Sequence, residues 1–472
     1  MNTSSFDLLS SIGNRLIEKI ARAIEIIYAP NGIRAANRTF AFEFANEVAH
    51  SSNLSQHNKL FKIISLFNTD AKIIYNSIKQ LELPEDQFFI HDDELCPCGS
   101  GKMFSNCCKN KPDSGPTNSP KPTEVLLMEC MRKSLRKRKL CLHPDQARCQ
   151  GNIKEAHALQ NHKIISLLAT RDNHVIMQDH TKQPIVLDVD PLIPIVIIPF
   201  SRVSGNKATT QSCFCNLHDT ELFKSIEAGA PTFDPNNEEM KFVYAYKAFI
   251  FEYAKQLQLM NIFKEAFAER PQVFSTPEMV KEYRIQRMRM EEFEPVKDHF
   301  DSEIMLGTHN GIETCVIKIP YQIGLANYAY IAPDFDLNGE RIETIDKCGK
   351  MHRLAITVLP ESNQSYILLS CLSSEIIIYQ DFFDQIQTSV ISKVLFYFNL
   401  LLPLFSENLV ISERLWDNHS EKGQLGLVHM ANLIGTDQFN LSHTIGMALR
   451  NAAKDRKMDY SKRGEIDLFQ ET

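Results

Sequence analysis

The sequence predicts an α+β chain of several domains: a helical N-terminal domain, a small cysteine-rich zinc module, a second zinc module, and a C-terminal α/β-mixed region. Three observations carry this. The chain has 472 residues, enough for about three domains at roughly 100–200 residues each. Nine of its 12 cysteines lie between Cys96 and Cys215. Apolar residues recur at helical spacing over most of the chain but form short β-rich runs between 311 and 373. Hydrophobic residues at 43% and charged residues at 23% exclude disorder, collagen and coiled coil for most of the length. A net charge of −7 leaves room only for a local nucleic-acid patch. The apolar runs Pro191–Phe200 and Val394–Phe405 fall short of the ~20 residues of a spanning helix, so no membrane partner is expected. Asp7 interrupts the start of the chain and no signal peptide is expected. Clustered cysteines in such a chain fit a cytoplasmic setting, where they bind metal rather than form disulfides.

The elements follow in order. Residues 1–90 are a helical domain, with apolar spacing through Phe6–Tyr28 and Leu60–Ile78 and a break at Pro30-Asn31-Gly32. Residues 93–111 are the first cysteine module. Residues 112–122 are a linker, because Pro112, Pro116, Pro120, Pro122 and Gly115 cannot bury a core. Residues 123–235 hold the second module and a basic patch. Residues 238–300 are helical, with Phe242–Leu259 and Pro277–Phe293 as the periodic stretches. The segment 303–412 is β-rich. Its runs Gly311–Pro320, Tyr328–Pro333, Arg353–Pro360 and Ser365–Leu372 are bounded by Pro, Gly, Asn or Asp, and Phe382–Phe405 returns to helical spacing. Residues 413–472 are a helical C-terminal region whose charged tail frays beyond Asn451.

The first module reads DELCPCGSGKMFSNCCK from Asp93 to Lys109. Cys96 and Cys98 are one residue apart, and Cys107 and Cys108 follow after eight more. Four thiolates this close can complete a tetrahedral Zn²⁺ site, two from each half. Gly99 and Gly101 suit the tight turn beside the first pair. Gly99–Lys102 is not a phosphate loop, since Cys96 and Met103 stand where that motif needs Gly and Ser/Thr. Redox thiols are the competing reading, and four at this spacing favour zinc. The pattern of Cys96, Pro97, Cys98, Gly99–Lys102, Cys107 and Cys108 closely resembles the SEC-C motif, the zinc module of the SecA C-terminal tail and of many other bacterial proteins. The resemblance covers about 19 residues. It implies zinc at Cys96, Cys98, Cys107 and Cys108 and at most an interaction role with a protein partner, and says little about activity.

The second module is looser. Cys141 and Cys149 form one half of a zinc site and Cys215 and His218 the other, with Cys213 and His143 as substitutes among which the sequence does not choose. Buried free thiols are the bland alternative. Thr220–Ile226 reads as a helix with Leu222, Phe223 and Ile226 inward. Ile153–His157 followed by Asn216–Phe223 resembles the zinc-bearing HNH, or ββα-metal, nucleases. That resemblance implies a treble-clef/HNH-like module, His157 as general base, and Mg²⁺ or Mn²⁺ at a phosphodiester. The sequence departs from the family at Ala156, where many members place an acidic or His ligand, and in its long span from His157 to Cys215. Asp172, His174, Asn206 and Asp219 are candidates for the missing ligand.

Charge favours nucleic acid locally. Between Lys121 and Lys163 stand ten basic and four acidic residues, six of the basic ones between Arg132 and Lys139. A solvated helix face is the plain alternative. More widely, Phe214, Cys215, His218, Asp219, Leu222, Phe223, Ile226, Glu227, Glu407, Asn408 and Trp416 resemble a bacterial family of uncharacterised proteins over about residues 140–420. This implies that the β-rich segment and the zinc module work as one unit. Two functions compete: an HNH-like nuclease, and a non-catalytic zinc-ribbon adaptor recruiting proteins. A site built on His309, Asp334 and His352 would rest only on isolated polar residues.

Overall fold

The computed structural model describes residues 89–114, 140–432 and 436–471, apart from 151, 158, 180–181, 183–184, 188–194, 228, 230–231, 347–348 and 406–407. Residues 1–88 of the expected helical domain, most of the linker and the basic patch 132–139 lie outside the described residues, as does Glu407. Helices and antiparallel strands alternate through the rest. Strands β1 (Ile153–His157), β2 (His174–Gln178), β3 (Ile185–Leu187), β4 (Ile195–Ile197), β5 (Phe200–Ser204) and β6 (Thr210–Cys215) precede helix α1 (Asn216–Leu222). Helices α2 (Glu238–Glu269), α3 (Pro271–Phe274) and α4 (Pro277–Leu306) follow. Strands β7 (Ile312–Ile319), β8 (Leu325–Ile331), β9 (Leu354–Pro360) and β10 (Ser365–Leu372) come next, then α5 (Ile376–Thr388) and α6 (Ile391–Phe405). The chain closes with β11 (Val410–Ile411), α7 (Glu413–Asp417), α8 (Glu421–Ala431) and α9 (Thr436–Lys454). No helix among the described residues is long and apolar enough to cross a membrane.

Two compact units are formed. Among the described residues the first comprises 89–114, 255–292 and 349–350, and the second those of 140–254, 293–346 and 351–471. In the first, residues 89–114 lie on the end of α2 and the start of α4. Ile90, Phe104, Phe263, Phe267, Phe274, Met279 and Val280 form its core. Gln256 Nε2 donates to Gln286 O at 2.8 Å and ties the two helices together.

The second unit contains a seven-stranded sheet of order β5-β2-β11-β8-β9-β10-β7, antiparallel at each pairing. Period-two alternation sorts its side chains. Leu325, Ala329 and Ile331 of β8 join the apolar core with Tyr379, Phe382, Val394 and Phe398 of α5 and α6. Tyr328 and Tyr330 turn the other way, onto Phe251 and Phe249 of α2. Covered on both faces, β9 and β10 are buried almost throughout. This is why they read as continuous apolar runs. Three of the strand-like runs of the sequence match β7, β9 and β10 within a residue, while β8 (Leu325–Ile331) begins three residues before the expected Tyr328–Pro333 and ends two residues before that run does. The sheet also takes β2 and β5 from the 123–235 stretch and the two-residue β11, all too short or too irregular to announce themselves by alternation. Trp416 stacks on Phe200 at 5.2 Å.

One expectation is corrected. The tail beyond Asn451 does not fray: α9 runs to Lys454, and Leu468 and Phe469 further on are fully buried. Charge composition misled, because two apolar anchors outweigh the charged residues around them.

Candidate metal centres

The first centre forms where the chain reverses between Glu94 and Lys109. Cys96 N–H donates to Lys102 O at 2.8 Å, and Phe104 N–H to Glu94 O at 2.8 Å, closing the loop that carries Cys98. Gly99 and Gly101 have φ of 74° and 73°, a region that side chains other than glycine's rarely occupy. The ligand atoms of Cys96, Cys98, Cys107 and Cys108 all lie within 4.8 Å of one another. Cys98 Sγ is 3.5 Å from Cys107 Sγ, and Ser100 Oγ is 3.2 Å from the latter. Burial pushes the Cys96 thiol up to about 11 and raises Cys108 further, with the neighbouring thiols adding to the rise at Cys108. At Cys98 burial also pushes upward, but hydrogen bonds from Ser100 and the other thiols outweigh it and hold the thiol at about 7. Four thiols this close cannot all ionise unaided; a divalent cation would deprotonate them.

The surroundings were not legible in the motif. Phe104 inserts between Phe263, Phe267 and Phe274, 159 or more residues onward in sequence. Gln272 Nε2 donates to Lys109 O and Lys111 O, both at 3.0 Å. Arg284 pairs with Glu94 at 2.7 Å and donates to Phe89 O at 2.7 Å. Nothing local to residues 93–111 points to Gln272 or Arg284, whose contacts depend on tertiary packing.

The second centre joins two distant pieces. Cys141 and Cys149 flank a short 3₁₀ turn, Gln146–Arg148, and Gln146 Nε2 donates to Cys141 O at 2.9 Å. Cys215 ends β6 and is the N-cap of α1, which places His218 one turn into the helix. β6 is held by β1 in a register that sets Ile153 opposite Cys215 and His157 opposite Thr210. His218 Nδ1 lies 3.3 Å from Cys141 Sγ, 3.6 Å from Cys149 Sγ and 3.3 Å from Cys215 Sγ, and the four ligand atoms lie within 4.8 Å of one another. Burial lowers the proton affinity of His218 and raises Cys149 to about 12. His218 Nε2 is buried without a hydrogen-bond partner. Its ring is stacked on His143 at 3.8 Å and 8°.

Geometry separates the alternatives. His143 turns its Nδ1 to accept from Asp145 N–H at 3.1 Å, and it stacks on the quartet instead of joining it. Cys213 is fully buried two residues back in β6, where burial holds its thiol well above the ordinary range. The helix is Asn216–Leu222, not the expected Thr220–Ile226, because the cap is Cys215 itself, and Phe223 and Ile226 are buried beyond its end.

His157 stands apart. Four residues beyond Ile153 along β1, it is about 13 Å from the strand end facing Cys215, at roughly 3.3 Å per residue. Its Nδ1–H donates to Ala208 O at 3.0 Å. Burial lowers its proton affinity, against that bond. Asp172 pairs with Arg202 at 3.0 Å and with His174 at 3.2 Å, and Asn206 Oδ1 accepts from Asn173. Among the described residues the only groups of three or more His, Cys, Asp or Glu side chains close enough to hold a metal are the two quartets, and neither includes His157, Asp172, His174 or Asp219. His309, Asp334 and His352 are likewise separate. His309 meets Phe242, Asp334 accepts from Ser442, and His352 sits between Glu375 at 2.8 Å and Asp346 at 3.4 Å. Asn408 donates to Glu252 at 3.1 Å.

Comparison with known families matches residues 94–110 to the SEC-C motif. No curated protein and no solved structure matches the chain. The HNH resemblance finds no support from these comparisons.

Proposed function

We propose that the chain is a two-zinc protein in which each quartet takes one Zn²⁺ as a structural closure, and that its SEC-C segment serves as an adaptor surface for a protein partner. The match at 94–110 is the premise. The observation that carries the reading is the convergence of two separate sets of four donors, each within 4.8 Å. Thiolate and imidazole are the donors that zinc takes tetrahedrally, and four of them leave no open position for chemistry. Bound there, the ion would supply folding energy and no reaction step. The residues themselves provide the cage: short loops around Cys96–Cys108, and the cap of α1 for Cys215 and His218.

Metal content by mass spectrometry on protein purified without added metal tests this. Two zinc per chain is expected; one or none would overturn it. A second reading, an HNH-like nuclease using Mg²⁺ or Mn²⁺ with the patch 132–139 holding nucleic acid, has one observation in its favour. The Nδ1–H bond of His157 to Ala208 O makes Nε2 the ring nitrogen that carries the lone pair. If fully metallated protein cuts DNA or RNA and His157→Ala does not, the second reading replaces the adaptor.

A further inference from the structure

The C-terminal residues are held in an unusual way. Residues 463–470 have neither helix nor strand, yet their main-chain groups are taken by side chains of the second unit. Asn399 does this twice: its Nδ2 donates to Ile466 O at 2.8 Å and its Oδ1 accepts from Leu468 N–H at 2.8 Å. His419 Nε2 accepts from Asp467 N–H at 3.1 Å, while its Nδ1–H donates to Leu415 O at 2.7 Å and fixes the ring. The Tyr321 hydroxyl donates to Phe469 O at 3.0 Å. Leu468 and Phe469 are fully buried beneath.

The floor is shaped to this segment. A Cβ on Gly423 would lie 2.4 Å from Glu465 O, and one on Gly426 3.0 Å from Ile466 Cδ1. Both glycines sit inside α8, one turn apart, where glycine costs about 1 kcal/mol relative to alanine. The room at Gly423 is filled by the passing backbone and that at Gly426 by the Ile466 side chain. The segment turns at Gly464-Glu465 and again at Leu468-Phe469, and side chains that read a main chain, with pockets for its side chains, are how grooves recognise peptides. The segment also prefolds itself: Asp467 Oδ1 accepts from Phe469 N–H at 3.1 Å and from Arg463 Nε at 2.5 Å. Its tether to α9, residues 455–462, is mostly exposed.

We propose that the groove formed by Asn399, His419, Tyr321 and the Gly423–Gly426 face is a peptide-binding site. The chain's own residues 463–470 occupy it in cis, and in trans it takes a peptide carrying an aspartate followed by Leu-Phe. The tail is then a detachable strap that occludes the groove, and its release is the step that admits a partner.

Hydrogen exchange on the full, unmodified chain is the first test. The Asp467 and Leu468 amides are expected to exchange at least tenfold faster than those of β9, since the strap opens without the sheet. Exchange at the β9 rate would make the strap an inseparable part of the core and overturn the proposal. The second test titrates a fluorescent peptide of residues 463–472 against full-length Leu468→Ala/Phe469→Ala protein, whose own strap is weakened. Saturable binding is expected, at least tenfold tighter than to the wild type or to the same variant with Asn399→Ala. Absence of binding, or equal binding to all three, would overturn it. Should the double variant fail to fold, the exchange result decides.

Discussion

The two quartets differ in how the chain assembles them. The first draws its four thiols from 13 consecutive residues; the second spans 78, with 65 residues between Cys149 and Cys215. Closing the longer gap costs only about 2 kcal/mol more than closing the eight-residue one, at roughly 0.6 kcal/mol per doubling. Entropy is therefore not the main distinction. Burial separates them by one ligand: three of the second quartet's four are buried against two of the first's, and each quartet has fully buried aromatic rings in its unit. A local site is specified by its own spacing and needs the fold only as a floor. A dispersed site is specified by the fold and in turn helps to hold it.

The largest effect should follow from Cys215→Ser. Structural zinc is worth on the order of 10 kcal/mol in small modules, comparable with the whole stability of a domain. The variant should lose one metal and the cooperative unfolding transition of the second unit, as seen by calorimetry. Cys107→Ser should also lose one metal, but with proteolytic sensitivity confined to the first unit. If both variants melt identically, the contrast between the quartets is wrong.

Next is Phe267→Ala. Its ring is fully buried in the core that seats the first quartet, and its removal should cost about 3–5 kcal/mol in that unit. Chemical denaturation followed by a probe on residues 89–114 would measure it; a loss under 1 kcal/mol would mean the quartet stands without its floor.

A smaller effect separates His143 from His218. His143→Ala should keep two metals and cost about 1 kcal/mol for the lost ring stacking, whereas His218→Ala should release one. Loss of metal from His143→Ala would place it among the ligands.

The finest distinction is in protons. With thiols at about 11 and above, Cys96 and Cys108 are protonated near neutrality, so loading the first quartet should expel at least two protons. Affinity there should rise with pH and fall on acidification. At the second quartet Cys149, at about 12, must release one. Titration in weak buffer, with pH recorded, counts them.

These contrasts mark what was legible in the sequence. The first quartet could be read because ligand spacing alone brings Cys96, Cys98, Cys107 and Cys108 together. Strands β7 to β10 could be read because their runs are long and bounded by turn residues. The choice of Cys215 over Cys213 could not, because it depends on where β6 gives way to α1. Nor could Arg284 or Gln272, which reach the first module only through tertiary packing, or the docking of Leu468 and Phe469. The nuclease outline gained no support. Among the described residues no group of three metal-capable His, Cys, Asp or Glu side chains includes His157.

The chain holds a single tryptophan, Trp416, stacked on Phe200. Its carbonyl accepts from His419 N–H at 3.1 Å, and His419 in turn holds the backbone of Asp467. All indole emission therefore comes from one place, a single residue removed from the seat of the tail. The molecule carries its own optical reporter: a change in colour or intensity on adding peptide would register at that seat, with no label attached.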